Sequence, residues 1–116
     1  MTLTTSWTTH LTDTRNRLRG LYKALPEVTR GFGTLSKAVK DGGVLDIKTK
    51  EYVALAISIA VQCEDCIALH IEALVKAGCT RDELADVLGM CIQMGGGPAT
   101  MYAAKALACF DELTAA

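Results

Sequence analysis

A cysteine pair and a histidine share one helical face in this chain, and a glutamate far upstream reaches them only if the chain reverses. Cys63 and Cys66 form Cys63-Glu64-Asp65-Cys66, and His70 follows four residues later. Spacings of three and four align side chains along one side of an α-helix. Glu51 lies twelve residues before Cys63. On one continuous helix that is a rise of about 18 Å, too far for two side chains to meet. A turn near residues 62–64, with the next helix running back antiparallel, puts Glu51 about 16 Å before the turn and His70 about 10 Å after it. A Glu51–His70 hydrogen bond is then feasible. It would orient the imidazole and raise its basicity. The four residues hold the parts of a thiol redox centre: two sulfurs able to close a disulfide, an imidazole and a carboxylate. Cysteines at a helix start also feel the positive end of the dipole, which favours thiolate. His70 would take a proton from the pair, directly or through water.

The rest of the chain reads as helices joined by short turns, with no useful run of strand-period alternation. Residues 5–24 space Trp7, Leu11, Leu18, Leu21 and Leu25 along one apolar stripe, and Pro26 ends that element. Residues 27–40 form a shorter helix with Val28, Phe32, Leu35 and Val39, weakened by Gly31 and Gly33. Asp41-Gly42-Gly43 stops it. Asp46 caps a third helix over 47–62, whose run Val53–Val61 is apolar nearly all round and is expected to be buried. A fourth, over 64–77, stops at Gly78. Thr80-Arg81-Asp82-Glu83 is a capping box that opens a fifth. Gly95-Gly96-Gly97-Pro98 breaks the fifth and starts a sixth that runs to about Leu113. The expectation is one all-α domain over residues 1–116, a bundle of about six helices, with no linker or internal repeat.

Composition narrows the class. Half of the 116 residues are apolar and 22% are charged. A helical chain this small hides a limited share of its surface, so the surplus predicts a subunit interface. A net charge of −1 predicts no general affinity for nucleic acid or anionic membrane. The basic cluster Arg15, Arg17, Arg19 and Lys23 reads as a solvated face. Residues 1–20 lack the apolar centre of an export signal. The longest apolar run is Val53–Val61, shorter than the roughly 20 residues that span a bilayer. A cytosolic protein that makes no membrane contact is expected. Five cysteines then argue against a structural disulfide framework and for a catalytic or metal-binding pair.

Other readings compete. Cys63, Cys66 and His70 could ligate a structural zinc, with Cys79, His10 or a carboxylate as the fourth ligand. The pair could be buried as small apolar residues, the reading adopted for Cys79, Cys91 and Cys109. His10 has no partner in view and reads as a surface residue. Gly95–Pro98 lacks the Gly-Lys-Ser/Thr ending of a phosphate loop. A thioredoxin scaffold would need β-α-β patterning, which is missing.

The segment Glu51…Cys63-Glu64-Asp65-Cys66-Ile67-Ala68-Leu69-His70-Ile71-Glu72-Ala73-Leu74 resembles the active-site segment of alkyl hydroperoxidase D-like proteins, within the carboxymuconolactone decarboxylase superfamily. Lys50–Ala56 and Gly95–Tyr102 are also similar to small members, and the likeness covers about residues 20–112. It implies an all-helical fold, a homo-oligomer (a trimer, or a hexamer built as a trimer of dimers), and peroxidase or disulfide-reductase chemistry without a cofactor or metal. It implies that Cys66 is the peroxidatic thiol and Cys63 the resolving one, with His70 and Glu51 as proton relay. The partners would be a hydroperoxide and an external dithiol or thiol-protein reductant. The alternatives are a general disulfide reductase and a non-catalytic module that binds zinc or a protein partner. One position departs from the pattern: well-known members carry histidine immediately before the second cysteine, and here it is Asp65. With Glu64, its charge is expected to disfavour thiolate and slow the pair. Members with the decarboxylase activity generally lack the cysteine pair, so its presence argues against that reaction.

Overall fold

Capping and turn chemistry divide the chain before any packing is considered. The computed structural model describes residues 6–115. Residues 1–5, part of the stretch on which the export-signal reading rests, lie outside it, as does residue 116. The described residues form α1 (Trp7–Ala24), α2 (Pro26–Asp41), α3 (Ile47–Ala60), α4 (Glu64–Lys76) and α5 (Arg81–Leu113), with no strand among them. Ser6 and Asp46 cap α1 and α3 by accepting from the N–H groups of Thr9 and Thr49. Thr80 and Glu83 form the expected reciprocal capping box on α5. Pro26 opens α2 at its first position, where its missing N–H costs nothing. At the end of α4, Gly78 takes φ 84°, and the N–H groups of Gly78 and Cys79 return to Val75 and Leu74.

The long α5 is not straight. Gly96 breaks it with φ 69° and ψ −144°. Arg81 Nε and Nη2 then meet Asp111 Oδ1 and Oδ2 at 2.9 and 3.1 Å. Thirty residues of straight helix would separate those side chains by about 45 Å. The chain therefore doubles back at Gly96, and α5 is two arms. The sixth helix expected after Gly95–Pro98 is the second arm.

The arms of α5 pack on α3 and α4, which fold against each other, and α1 lies across α4 and α5. Leu55, Ile59, Ile67, Ile71, Leu74 and Leu84 are fully buried where these elements meet. Each such side chain contributes about 1.5–3 kcal/mol by leaving water. The run Val53–Val61 is less hidden than its composition predicts. Leu55 and Ile59 face the core, but Val53, Ile57 and Val61 stay at least half exposed. Within one chain α3 has neighbours on one side only, so its other apolar side stays open.

Helix α2 is the outlier, because it buries no residue at all. Val28, Phe32, Leu35 and Val39, spaced along one stripe, are 58–70% exposed. It touches α1 and α3 only. Its C-terminal end is held by Lys50 on α3, whose ammonium donates to the carbonyl oxygens of Val39 (2.7 Å) and Gly42. No described helix is long and apolar enough to cross a membrane.

Candidate redox site

One residue makes both the turn and the site. Cys63 ends the α3 turn through its N–H, which donates to Ser58 at 3.0 Å. It starts α4 through its Sγ, which accepts from the Cys66 N–H at 3.2 Å. The reversal is tight because Gln62 adopts φ 59°, a left-handed conformation costly for a residue with a Cβ. The helix start therefore carries the sulfur pair, and the structure holds Cys63 and Cys66 as a disulfide with Cα atoms 5.2 Å apart.

The reversal brings Glu51 to His70. Glu51 Oε1 lies 2.7 Å from His70 Nδ1. Glu51 is only 2% exposed, whereas His70 is partly open. Lys40, which the sequence does not single out, reaches in from α2 and places Nζ 3.4 Å from the other oxygen, Oε2. Cys66, His70 and Lys40 line one cleft of about 1130 Å³, walled by apolar residues of α1, α2 and α4 that include Leu18, Leu21, Phe32 and Leu69. Cys63 is not among its lining residues. A reactant in this cleft meets Cys66.

The two carboxylates between the cysteines are engaged. Asp65 Oδ1 is 2.7 Å from His10 Nε2, and Oδ2 is 3.5 Å from Arg17. The His10 contact has the distance of an ion pair but not the angles of a hydrogen bond, and Nε2 has no hydrogen-bond partner. Glu64 pairs with Lys105 at 2.7 Å and lies 3.9 Å from His10 Nδ1. The repulsion expected against thiolate is thus offset by Arg17 and Lys105. His10 is not the free surface residue expected from the sequence, and Arg15 and Arg17 are not a merely solvated face. Arg15 pairs with Glu72 on α4. Contacts between residues more than 40 apart in the chain leave no spacing signal to read.

The other cysteines lie apart from the pair. Cys79 is buried, accepts from the Tyr52 hydroxyl and donates to the Thr80 carbonyl, both at 3.2 Å. Burial pushes the Cys109 thiol up to about 12 and also raises that of half-buried Cys91. The Cys91 and Cys109 thiols therefore stay protonated and unreactive near neutrality. Among the described residues no group of three or more His, Cys, Asp or Glu gathers so as to hold a metal ion.

Comparison with known proteins gives concordant results. A family model described as the carboxymuconolactone decarboxylase family matches residues 26–108. An uncharacterized protein of Cupriavidus necator is 39% identical over 97% of this chain and 100% of its own length. A crystal structure of a carboxymuconolactone decarboxylase family protein from Legionella pneumophila is 44% identical and superposes with a TM-score of 0.89, covering 93% of this chain and 96% of that one. A family member from Thermotoga maritima, whose description raises a role in the antioxidative response, is 29% identical. Its TM-score is 0.79, covering 90% of this chain and 89% of that one.

Proposed function

Since the chain belongs to the carboxymuconolactone decarboxylase family, we propose that it is a thiol-dependent peroxidase that reduces hydroperoxides through Cys66 and Cys63. One observation carries this reading. Cys66 opens onto an apolar cleft beside His70, His70 is bonded to a buried carboxylate, and the cleft sulfur already pairs with Cys63. In the reduced protein, His70 takes the Cys66 proton. The thiolate attacks one peroxide oxygen, the O–O bond breaks, and an alcohol leaves once protonated. Cys66 is then a sulfenic acid. The Cys63 sulfur displaces the hydroxyl as water and closes the disulfide. An external dithiol returns both sulfurs to thiols through a mixed disulfide.

We assign the protein to the cytosol, where dithiol reductants keep such pairs turning over. We also assign it to a homo-oligomer, a reading supported by the apolar faces of α2 and α3 that one chain leaves open.

Stopped-flow mixing of the reduced protein with hydrogen peroxide and with cumene hydroperoxide, followed by thiol counting, tests the reaction. Loss of two thiols per chain within the Cys63–Cys66 peptide is expected. Cys66→Ser is expected to abolish turnover, and Cys63→Ser to allow one oxidation and then stall. If the first oxidation survives in Cys66→Ser and fails in Cys63→Ser, the roles are reversed. Rapid reduction of small disulfides by a protein inert to both peroxides would favour the general disulfide-reductase reading.

A further inference from the structure

Glu51 sits almost wholly out of water, with each carboxylate oxygen committed to a different partner. Oε1 meets His70 Nδ1 at 2.7 Å, and Oε2 meets Lys40 Nζ at 3.4 Å. We propose that Lys40 is a positioning residue, which holds the Glu51–His70 pair in the one proton arrangement that leaves His70 Nε2 free to accept the Cys66 proton. The proposal rests on the peroxidase reading above for its use, but not for its chemistry.

The argument is proton counting. An ionised Glu51 accepts from Nδ1–H, and a neutral ring in that tautomer has a bare Nε2. The pair then carries one negative charge, buried, and the Lys40 ammonium balances it. A buried charge without a partner recovers neutrality by exchanging a proton. Without Lys40 the pair would take one up. If that proton rests on the carboxyl, the carboxyl donates to Nδ1 and Nε2 must carry hydrogen. If it rests on the ring, both nitrogens carry hydrogen. Either way no base faces the thiol. Arg15 and Arg30 also line the cleft, but neither pairs with Glu51. On α1, Arg15 is held by Glu72 of α4. On α3, Lys48 is held by Glu83 of α5, and Lys50 by the last carbonyls of α2. Among the described residues Lys40 is the one lysine or arginine that contacts Glu51. Packing does not require a lysine there either, because α2 buries nothing.

The experiment reads the ring directly. Nitrogen-15 NMR of reduced protein distinguishes a bare imidazole nitrogen from a protonated one. The chain has two histidines, so a His10→Gln sample assigns His70. Near pH 7.5 the wild type should show Nδ1 protonated and Nε2 bare. Lys40→Met should show Nε2 protonated, and Lys40→Arg should restore the wild-type pattern. In parallel, the pH midpoint for iodoacetamide alkylation of Cys66, followed on its peptide by mass spectrometry, should rise by about one pH unit in Lys40→Met. The change reaches the thiol only through Glu51 and His70, and Lys40 is 44% exposed, so the shift sits at the low end of what removing an opposite charge does to the group it touches. Lys37→Met removes another α2 ammonium, one that pairs with Asp41 and not with Glu51, so it should not move that midpoint.

A wild-type ring that carries hydrogen on Nε2 would overturn the proposal, even if Lys40→Met failed to fold. So would an unmoved ring in Lys40→Met, or an equal midpoint shift in Lys37→Met, which would make the effect one of overall α2 charge and not of Lys40. A wild type inert to peroxides with these ring states intact would sink the peroxidase reading and leave Lys40 its role. Normal peroxide turnover in Lys40→Met, with the ring unchanged, would sink the Lys40 proposal alone.

Discussion

Asp65 illustrates how far a single residue can be read in isolation. Beside two sulfurs its charge opposes thiolate, but in the fold it is shared with His10 and Arg17. An exposed pair of this kind is worth up to about 1 kcal/mol, which is roughly fivefold in a rate. Asp65→His, which restores the residue of well-known relatives, is therefore expected to change Cys66 alkylation by less than about fivefold at neutral pH. A tenfold acceleration would mean that Arg17 leaves the charge unshielded. Under the peroxidase reading Glu51 and His70 should respond more strongly. His70→Ala and Glu51→Gln are each expected to slow the first oxidation by roughly 10²–10⁴-fold, the usual worth of a positioned base. Far-ultraviolet circular dichroism should be unchanged. Glu51, Cys63, Cys66 and His70 were legible because helical spacing and one turn relate them. Lys40 and His10 were not, since their places are set by how α2 and α1 lie on the bundle.

Elements in this molecule are held at their ends. The start of α1 is capped from far along the chain: Glu112 accepts from the N–H groups of Trp7 and Thr8, both at 2.9 Å. The Trp7 and Thr8 N–H bonds hold the Glu112 carboxyl below its ordinary 4.5. A carboxyl lowered in the folded state adds stability above its unfolded value, and that stability is lost as pH falls through the folded value. Urea unfolding midpoints should therefore drop as pH falls below about 4.5, and Glu112→Gln should flatten that drop. An identical acid limb in the variant would mean that the cap is not populated in solution. The α5 reversal gives a second test, with opposite signs at two glycines. Gly96→Ala forces a Cβ into a positive-φ, extended-ψ conformation that is nearly glycine-only and should cost about 1–3 kcal/mol. Gly89, mid-arm with open space around it, should gain about 1 kcal/mol on mutation to alanine. The Gly-rich break predicted two helices from the sequence. It did not predict their antiparallel pairing, because a positive φ at Gly96 is one of several conformations four such residues allow.

For the whole molecule, the apolar surplus of the composition reappears as geometry. One chain leaves the Val28–Phe32–Leu35–Val39 stripe and the outer side of α3 in water. Burying them against a second copy is the arrangement that the homo-oligomer reading requires. Light scattering of the wild type should give a trimer or hexamer, and Phe32→Glu should shift it toward monomer. A monomeric wild type would require another cover for these faces. Of the fully buried core, Leu55 and Ile59 followed from the apolar run read as buried, whereas Ile67 and Ile71 were not singled out from the sequence. The half-exposed Val53, Ile57 and Val61 did not follow, because periodicity marks what is apolar and not which neighbour hides it. Helix α2 also carries Lys40, so an element that buries no residue of its own supplies a charge to the site. If copies of the chain hold α2 in place, dilution becomes a form of inhibition. On the peroxidase reading, specific activity should fall as the protein is assayed below its assembly concentration, and adding back Cys66→Ser chains should restore it.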